Sequence, residues 1–453
     1  MIDQLEIPLY ESILAKFEIA VLNSNPHMSA IRERGINLFK TLGFPTIKHE
    51  EWRFTNVMPL LKEDYAFEAT TQALTTEAFE KLAQLVSKHL SEVQYYLKEE
   101  HKGAYRVVTV NGKFNAALSV LPDTAVLKIH PFTEVVDHAS FKQHFASIAP
   151  IEAEAFTALN TALFTDGLFI EAAKNAIVDK PIHIVNVILS GDSKTFIQPR
   201  HLIVLQANAA VEIIETTISD NSENAVFING VTEIALEPNA QLHHYDIQTG
   251  RKGMRVVQRT EATQTKGSNY SNYTFTLPGT DFIRNNLSIH LNDEALESHL
   301  YGLYLTAGKQ LVDNHTAVHH KKPHGESNQL YKGVLLDQSK AVFNGKIFVY
   351  EDAQKTNAFQ QSNNILFSDK ATVNAKPQLE IFADDVKCSH GTTIGQINNE
   401  ALFYLQSRGL SLKTAKELMI NAFAFDVTQK VKIPALRTYL EKLIADEMTR
   451  HHA

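Results

Sequence analysis

The feature that most restricts this chain is a stretch of more than two hundred residues, 165–395, built of short β-prone segments with no convincing helix between them. PIHIVNVIL (181–189), HLIVLQA (201–207), VEIIETTI (211–218), AVFINGVTEIAL (225–236) and GMRVVQRT (253–260) are punctuated by Gly, Asn, Asp and Pro. An ordinary βαβ sheet needs crossover helices, so that architecture is excluded. Two recurrences favour a coiled stack of parallel strands. Ala210-Val211 lies 30 positions before Ala240-Gln241, and Ala341-Val342 lies 30 before Ala371-Thr372. A β-helix accounts for an irregular repeat of this kind, because each coil buries its apolar edge against the next. A β-sandwich with coincidental spacing is the alternative, and the length of the stretch counts against it.

The flanks read differently. Residues 1–160 form a mixed but helix-rich region. Ile31, Leu38 and Leu42 suit a helix ending near Gly43, with Pro45 discouraging its continuation. Phe79, Leu82, Val86 and Leu90 recur at helical spacing and predict one buried face. YRVVTV (105–110) runs into Asn111-Gly112, a hairpin turn signal, and a further helix is expected around 139–160. After Gly395, residues 396–453 predict three helices. The first is a short one over 398–409 ended by Gly409. The second is capped by Ser411, with Leu412, Ala415, Leu418, Met419, Ala422 and Phe423 as its apolar stripe. The third follows Pro434, with Leu436, Leu440, Leu443 and Ile444 facing inward. Such a tail must pack on the flank of the β-body or offer a face to a partner.

The chain has 453 residues, enough for two or three regions, and a formal net charge of -8. That charge argues against general binding to nucleic acid or an anionic membrane. The start lacks a basic segment leading into an apolar run, and no segment is long enough to span a bilayer, so the expected compartment is the cytoplasm. The single cysteine, Cys388, fits a reducing compartment. It also excludes a cysteine-only metal or cluster site within one chain.

Two clusters could carry chemistry. DNHTAVHHKKPHGES holds His315, His319, His320 and His324 beside Asp313 and Glu326, donors suited to Fe²⁺ or Zn²⁺. His315 and His319 are read as sharing a face only on a helix, whereas their surroundings predict strands and loops. Solvated or core-satisfied histidines are therefore the leading interpretation, and a metal site at His315, His319 and His324 the weaker one. DDVKCSHGTTIG (384–395) puts Cys388 and His390 two apart, on one side of an extended strand. These two ligands cannot close a tetrahedral site alone, but a partner could supply the rest; an inert buried cysteine is the plainer alternative. The sequence contains no GxSxG, phosphate-binding loop or GxGxxG fingerprint. Trp52 is expected to seat the start of the chain on the body, with Lys48, Glu50, Glu51 and Arg53 at the rim.

Read in order, three blocks resemble the SufB/SufD superfamily of iron–sulfur cluster assembly scaffolds, and within it the SufD branch. They are GFPTIKHEEWRFT (43–55), VDNHTAVHHKKPHGESNQLYKGVLLDQSKAVFNGKIFV (312–349) and DDVKCSHGTTIGQINNEALFYLQSRGLSLKTAKELMINAF (384–423). The SufB branch carries additional functional cysteines that this chain lacks. The resemblance implies a right-handed parallel β-helix over 161–395, between the helix-rich region 1–160 and the helical region 396–453. It implies a non-catalytic subunit that pairs with a SufB-like protein through the β-helix and docks a SufC-like ATPase through the C-terminal helices. ATP would be bound by that ATPase only, and no stable cofactor by this chain. His390 matches an interface histidine proposed to hold iron or a nascent cluster, with Cys388 as a secondary ligand. A homodimer in the partner's absence is also compatible with the resemblance. From other classes, the composition leaves room for a β-helical polysaccharide-processing enzyme, with Asp384-Asp385 as its carboxylates, or a purely structural self-associating β-helix.

Overall fold

The computed structural model describes residues 7–451 except 23, 25, 68–75, 102, 123–124, 153, 191 and 221. From Gly167 to Gln396 the chain winds as a β-solenoid whose successive coils add a strand alternately to an 11-stranded and a 10-stranded sheet. Neighbouring coils pair in parallel, so residues related by one coil stack on the same face. One inward file runs Ile203, Ile234, Ala262, Ile289, Val318, Ile347 and Leu379. Burying such files coil on coil is the main source of stability, at about 25 cal/mol per Å² of apolar area.

The coils are not uniform. Ala341 lies 29 residues after its partner Val312 and 32 before its partner Val373, so the recurrence of 30 noted in the sequence is an average and not the register. Length varies because the corners vary while the strands stay in register. One corner takes left-handed backbone in coil after coil, at Asn175, Asn208, Asn239, Gly267, Ala295, His324 and Lys355. The first three asparagines bond to one another as a ladder, at 2.8 and 3.0 Å. Asn and His are among the non-glycine residues that accept this conformation most readily.

Residues before Gly167 both cover and extend the solenoid. Tyr105–Val110 turns through Asn111-Gly112 into Lys113–Phe114 and also pairs in parallel with Ile182–Ile188. Leu127–Pro131 adds an antiparallel strand at the other sheet's edge. The helix Pro26–Leu42 ends at Gly43, whose φ of 63° suits a helix terminus. With Ala155–Leu163 it packs on Phe196, Phe227, Val257 and Phe282, on the outer face of the larger sheet. The stretch expected to be helical over 139–160 is two helices, Ala139–His144 and Ala155–Leu163. Thr76–His101 buries Leu82, Val86 and Leu90.

The C-terminal helices Leu412–Thr428 and Pro434–His451 pack on the outer face of the smaller sheet. Leu436, Leu440 and Ile444 point inward. The stripe expected on the middle helix is rotated: Ala415, Ile420, Ala424 and Val427 are buried, while Leu412 and Leu418 are exposed. Of these, Ile420, Ala424 and Val427 pack on Tyr245, Tyr273 and Leu303 of the sheet beneath. Among the described residues no helix is long and apolar enough to cross a membrane.

Candidate functional site at the open end of the solenoid

The last strand, Lys387–Gln396, pairs with Asn357–Leu366 and carries no further coil beyond it. Cys388 stands over Ala358 and His390 over Gln360; Ala358 and Gln360 are both buried and inward-facing. Both side chains therefore project from the face that lines the lumen in earlier coils. Here that face is the end of the stack. His390 is exposed and Cys388 half-buried, packed near Ile347, Val349 and Ala353. Burial pushes the Cys388 thiol above its ordinary value, only partly offset by a hydrogen bond with the Ala358 backbone. It is a neutral thiol until a metal or a neighbouring positive charge draws off its proton. Exposed Ile394 lies on this last strand, and exposed Ile381 and Phe382 lie at and just past the end of Thr372–Ile381, the last strand of the other sheet. Asp385 is tied to Lys355 through its side chain and its backbone carbonyl.

The histidines of 315–324 have other partners. The strand Leu311–His320 sends His315 and His319 outward together, because the period of two in a strand brings residues four apart to one face as a helix does. The helix-only reading of that spacing is thus corrected. His315 meets Asp313 Oδ1 at 2.9 Å and Glu51 Oε2 at 3.3 Å. His319 lies in a column of flat rings, 4.6 Å from both His290 and Phe348. Burial lowers His319 to about 3, so it is neutral at physiological pH. His320 points inward and bonds Ser327, and His324 is the exposed corner residue already described. Among the described residues no group of three or more His, Cys, Asp and Glu could hold a metal ion.

The N-terminal segment explains the pairing of His315. Trp52 is buried against Phe156 with the Arg284 guanidinium 3.8 Å from its ring centre. Arg284 also donates to Asp313 Oδ2 at 2.6 Å and to the Glu51 carbonyl at 2.8 Å, and Thr55 donates to the same Asp313 oxygen. Glu51 is more than a rim residue, since it also bonds Lys346 and Asn344. The His315 hydrogen bond is the main influence holding Glu51 at about 2, against its burial. Asp313 is fully buried, which opposes its charge, yet His315 and Arg284 bring it to about 2. This clamp borders a groove of about 480 Å³ lined by His49, Trp52, Arg284, His315 and His319.

Sequence reasoning missed a polar group inside the lumen. His244 Nε2 meets Glu215 Oε1 at 2.9 Å, and Asp246 accepts from Gln248 and Gln258. Together with His201 and Thr280 they line a cavity of about 90 Å³. Burial opposes the Glu215 charge, but His244 outweighs it and holds the carboxyl low; burial and Glu215 push Asp246 up. Laying VEIIETTI over LHHYDIQT at the true offset, Val211 on Leu242, would have aligned these residues on one face.

The comparisons agree with this architecture. The SufBD protein N-terminal region matches residues 7–184, and the SufBD core domain of the SUF system for FeS cluster assembly matches residues 187–423. An iron-sulfur cluster assembly SufBD family protein of Synechocystis is 32% identical over 91% of this chain and 90% of its own. The iron-sulfur cluster assembly protein SufD of Escherichia coli is 28% identical over 87% of each chain. ABCI7, a chloroplastic protein of Arabidopsis thaliana, is 26% identical over 94% of this chain and 87% of its own. On the core match, which covers more than half of the residues, and on the solenoid that carries it, this chain belongs to the SufBD family of iron–sulfur cluster assembly proteins.

Proposed function

We propose that this protein is a non-catalytic SufD-type scaffold that contributes half of a composite site for iron or a nascent cluster. The observation that carries this reading is Cys388 and His390 side by side on the inward face of a coil with nothing stacked above it. Two ligands are fewer than a cluster requires, so the remaining thiolates must come from a partner seated on that end. The exposed apolar Ile381, Phe382 and Ile394 suit such a seat, and the partner of matching geometry is a SufB-like β-helix. Iron and the growing cluster are the cargo of this site, and ATP belongs to a SufC-like subunit in the same cytoplasmic complex.

The C-terminal helices supply the second surface. Their inner faces are engaged with the solenoid, while Phe403, Tyr404, Leu418 and Phe425 remain exposed on the outside. We assign that outer face to the SufC-like ATPase. Removing 396–453 whole would also strip Leu436, Leu440 and Ile444 from a buried flank, so point changes are the better probe. Phe403→Asp with Leu418→Asp should abolish co-purification of the ATPase from a protein that folds normally; retained binding would place docking elsewhere. The central test is acid-labile sulfide in the anaerobically purified complex, coexpressed with SufB-like and SufC-like subunits. Parent complex should carry sulfide and an intact His390→Ala complex should have lost most of it. Equal sulfide in both would reduce this chain to an architectural arm.

A further inference from the structure

The inward file that ends on His390 contains a ladder of amides. Gln329, Gln360 and His390 stand in register on three successive coils. Gln360 Nε2 donates to Gln329 Oε1 at 2.9 Å, and Gln329 Nε2 donates to Thr316 Oγ1 at 2.5 Å. The Gln360 amide thus donates to the coil behind it, while Gln329 donates across the lumen to Thr316 of the facing sheet. Gln360 Oε1 is left buried with no hydrogen-bond partner. Gly345 helps to fix the amide: a Cβ there would stand 2.3 Å from Gln360 Nε2, so the side chain fills space that only glycine leaves open.

A buried acceptor without a donor costs on the order of 1–3 kcal/mol, and an in-register ladder is satisfied when the next member donates to it. The next member is His390, one strand spacing away at about 4.8 Å along the stack. The His390 ring is exposed and free to change rotamer. We propose that Gln360 is a positioning residue for His390: its side-chain oxygen accepts one imidazole N–H and holds the ring in a single tautomer. The lone pair of the other ring nitrogen then points out of the solenoid end, as a metal-ligating histidine requires. This role rests on the reading of His390 as a ligand of the composite site, whereas the hydrogen bond itself does not.

The test uses the full chain labelled with ¹⁵N-histidine at a pH where its imidazoles are neutral. Long-range ¹H–¹⁵N spectra report the tautomer of each ring, and His390→Gln identifies the His390 signals. Parent protein should show one His390 tautomer in roughly tenfold excess, the worth of one ordinary hydrogen bond. Gln360→Met keeps the length but lacks the amide oxygen, and should return His390 to the ratio of a free imidazole. Gln360→Glu keeps an acceptor and should restore the preference, which a merely structural role would not do. A free-imidazole ratio in the parent overturns the proposal, with no variant needed. So does an unchanged preference in Gln360→Met. Sulfide in the complex separates the two ideas: loss in His390→Ala with no tautomer effect of Gln360 sinks the positioning role alone. A tautomer effect with normal sulfide in His390→Ala upholds the hydrogen bond and sinks the site.

Discussion

The strands Leu311–His320 and Lys387–Gln396 carry similar side chains and meet opposite fates. The first lies within the stack, with strands paired on both sides and the N-terminal segment across its outer face. Its histidines are consumed by Asp313, Glu51, Ser327 and a column of rings. The second ends the stack, with no further coil paired beyond it. A solenoid thus decides the chemistry of a residue by the coil it occupies: the same donor is structural in the middle and available at the end.

The sharpest way to break this comparison is to remove one partner of the wall clamp. Asp313→Ala leaves Arg284 almost fully buried without its carboxylate, and should destabilise the chain by about 3–5 kcal/mol. Urea denaturation followed by circular dichroism measures it; a cost near zero would mean that the wall is no more committed than the end.

A middle-sized effect comes from pH. Burial lowers His319 to about 3 and His320 to about 4, against an ordinary 6.5. The unfolded chain takes up these protons first, so the stability they represent is whole above about pH 6.5 and drains away as pH falls toward those lowered values. Asp246 works in the other sense, since burial pushes it up to about 6 and protonation there relieves the folded state. With His89, His183 and His243 also lowered by burial, the depressed histidines outnumber the raised carboxyl and should leave the urea midpoint lower at pH 5.5 than at pH 7.5. His319→Phe, which extends the ring column to Phe348, should flatten that slope and Asp246→Asn should steepen it. No change of slope in either variant would remove these groups from the account.

The smallest effects belong to the open end. Cys388→Ala and His390→Ala should each cost the isolated chain no more than about 1 kcal/mol, since Cys388 is only half-buried and His390 contributes the single hydrogen bond to the Gln360 oxygen. A larger loss for His390→Ala would show that the ring already supports the fold. The raised thiol predicts that Cys388 in the free chain reacts with iodoacetamide more slowly than a free cysteine at pH 7.5, and faster as pH climbs. Rapid labelling at neutral pH would indicate a thiolate held by a group on the end.

Much of this was legible in the residues. Strand-prone segments without crossovers announced the solenoid, Gly43, Asn111-Gly112, Ser411 and Pro434 marked real boundaries, and the two-residue spacing of Cys388 and His390 put them on one face. Local rules sufficed there, because turn chemistry and strand alternation act over a few residues. The tertiary structure decided everything that depends on which coil lies over which. It set coil lengths that differ from 30, kept Ala415 but moved the rest of the buried stripe to Ile420, Ala424 and Val427, and gathered Glu215, His244 and Asp246 in the lumen. It also left the Gln360 oxygen buried without a partner, on the coil next to His390. The physical reason is range: a side chain's neighbours in a solenoid are a full coil away in sequence, and coil length depends on corner geometry that no local pattern records.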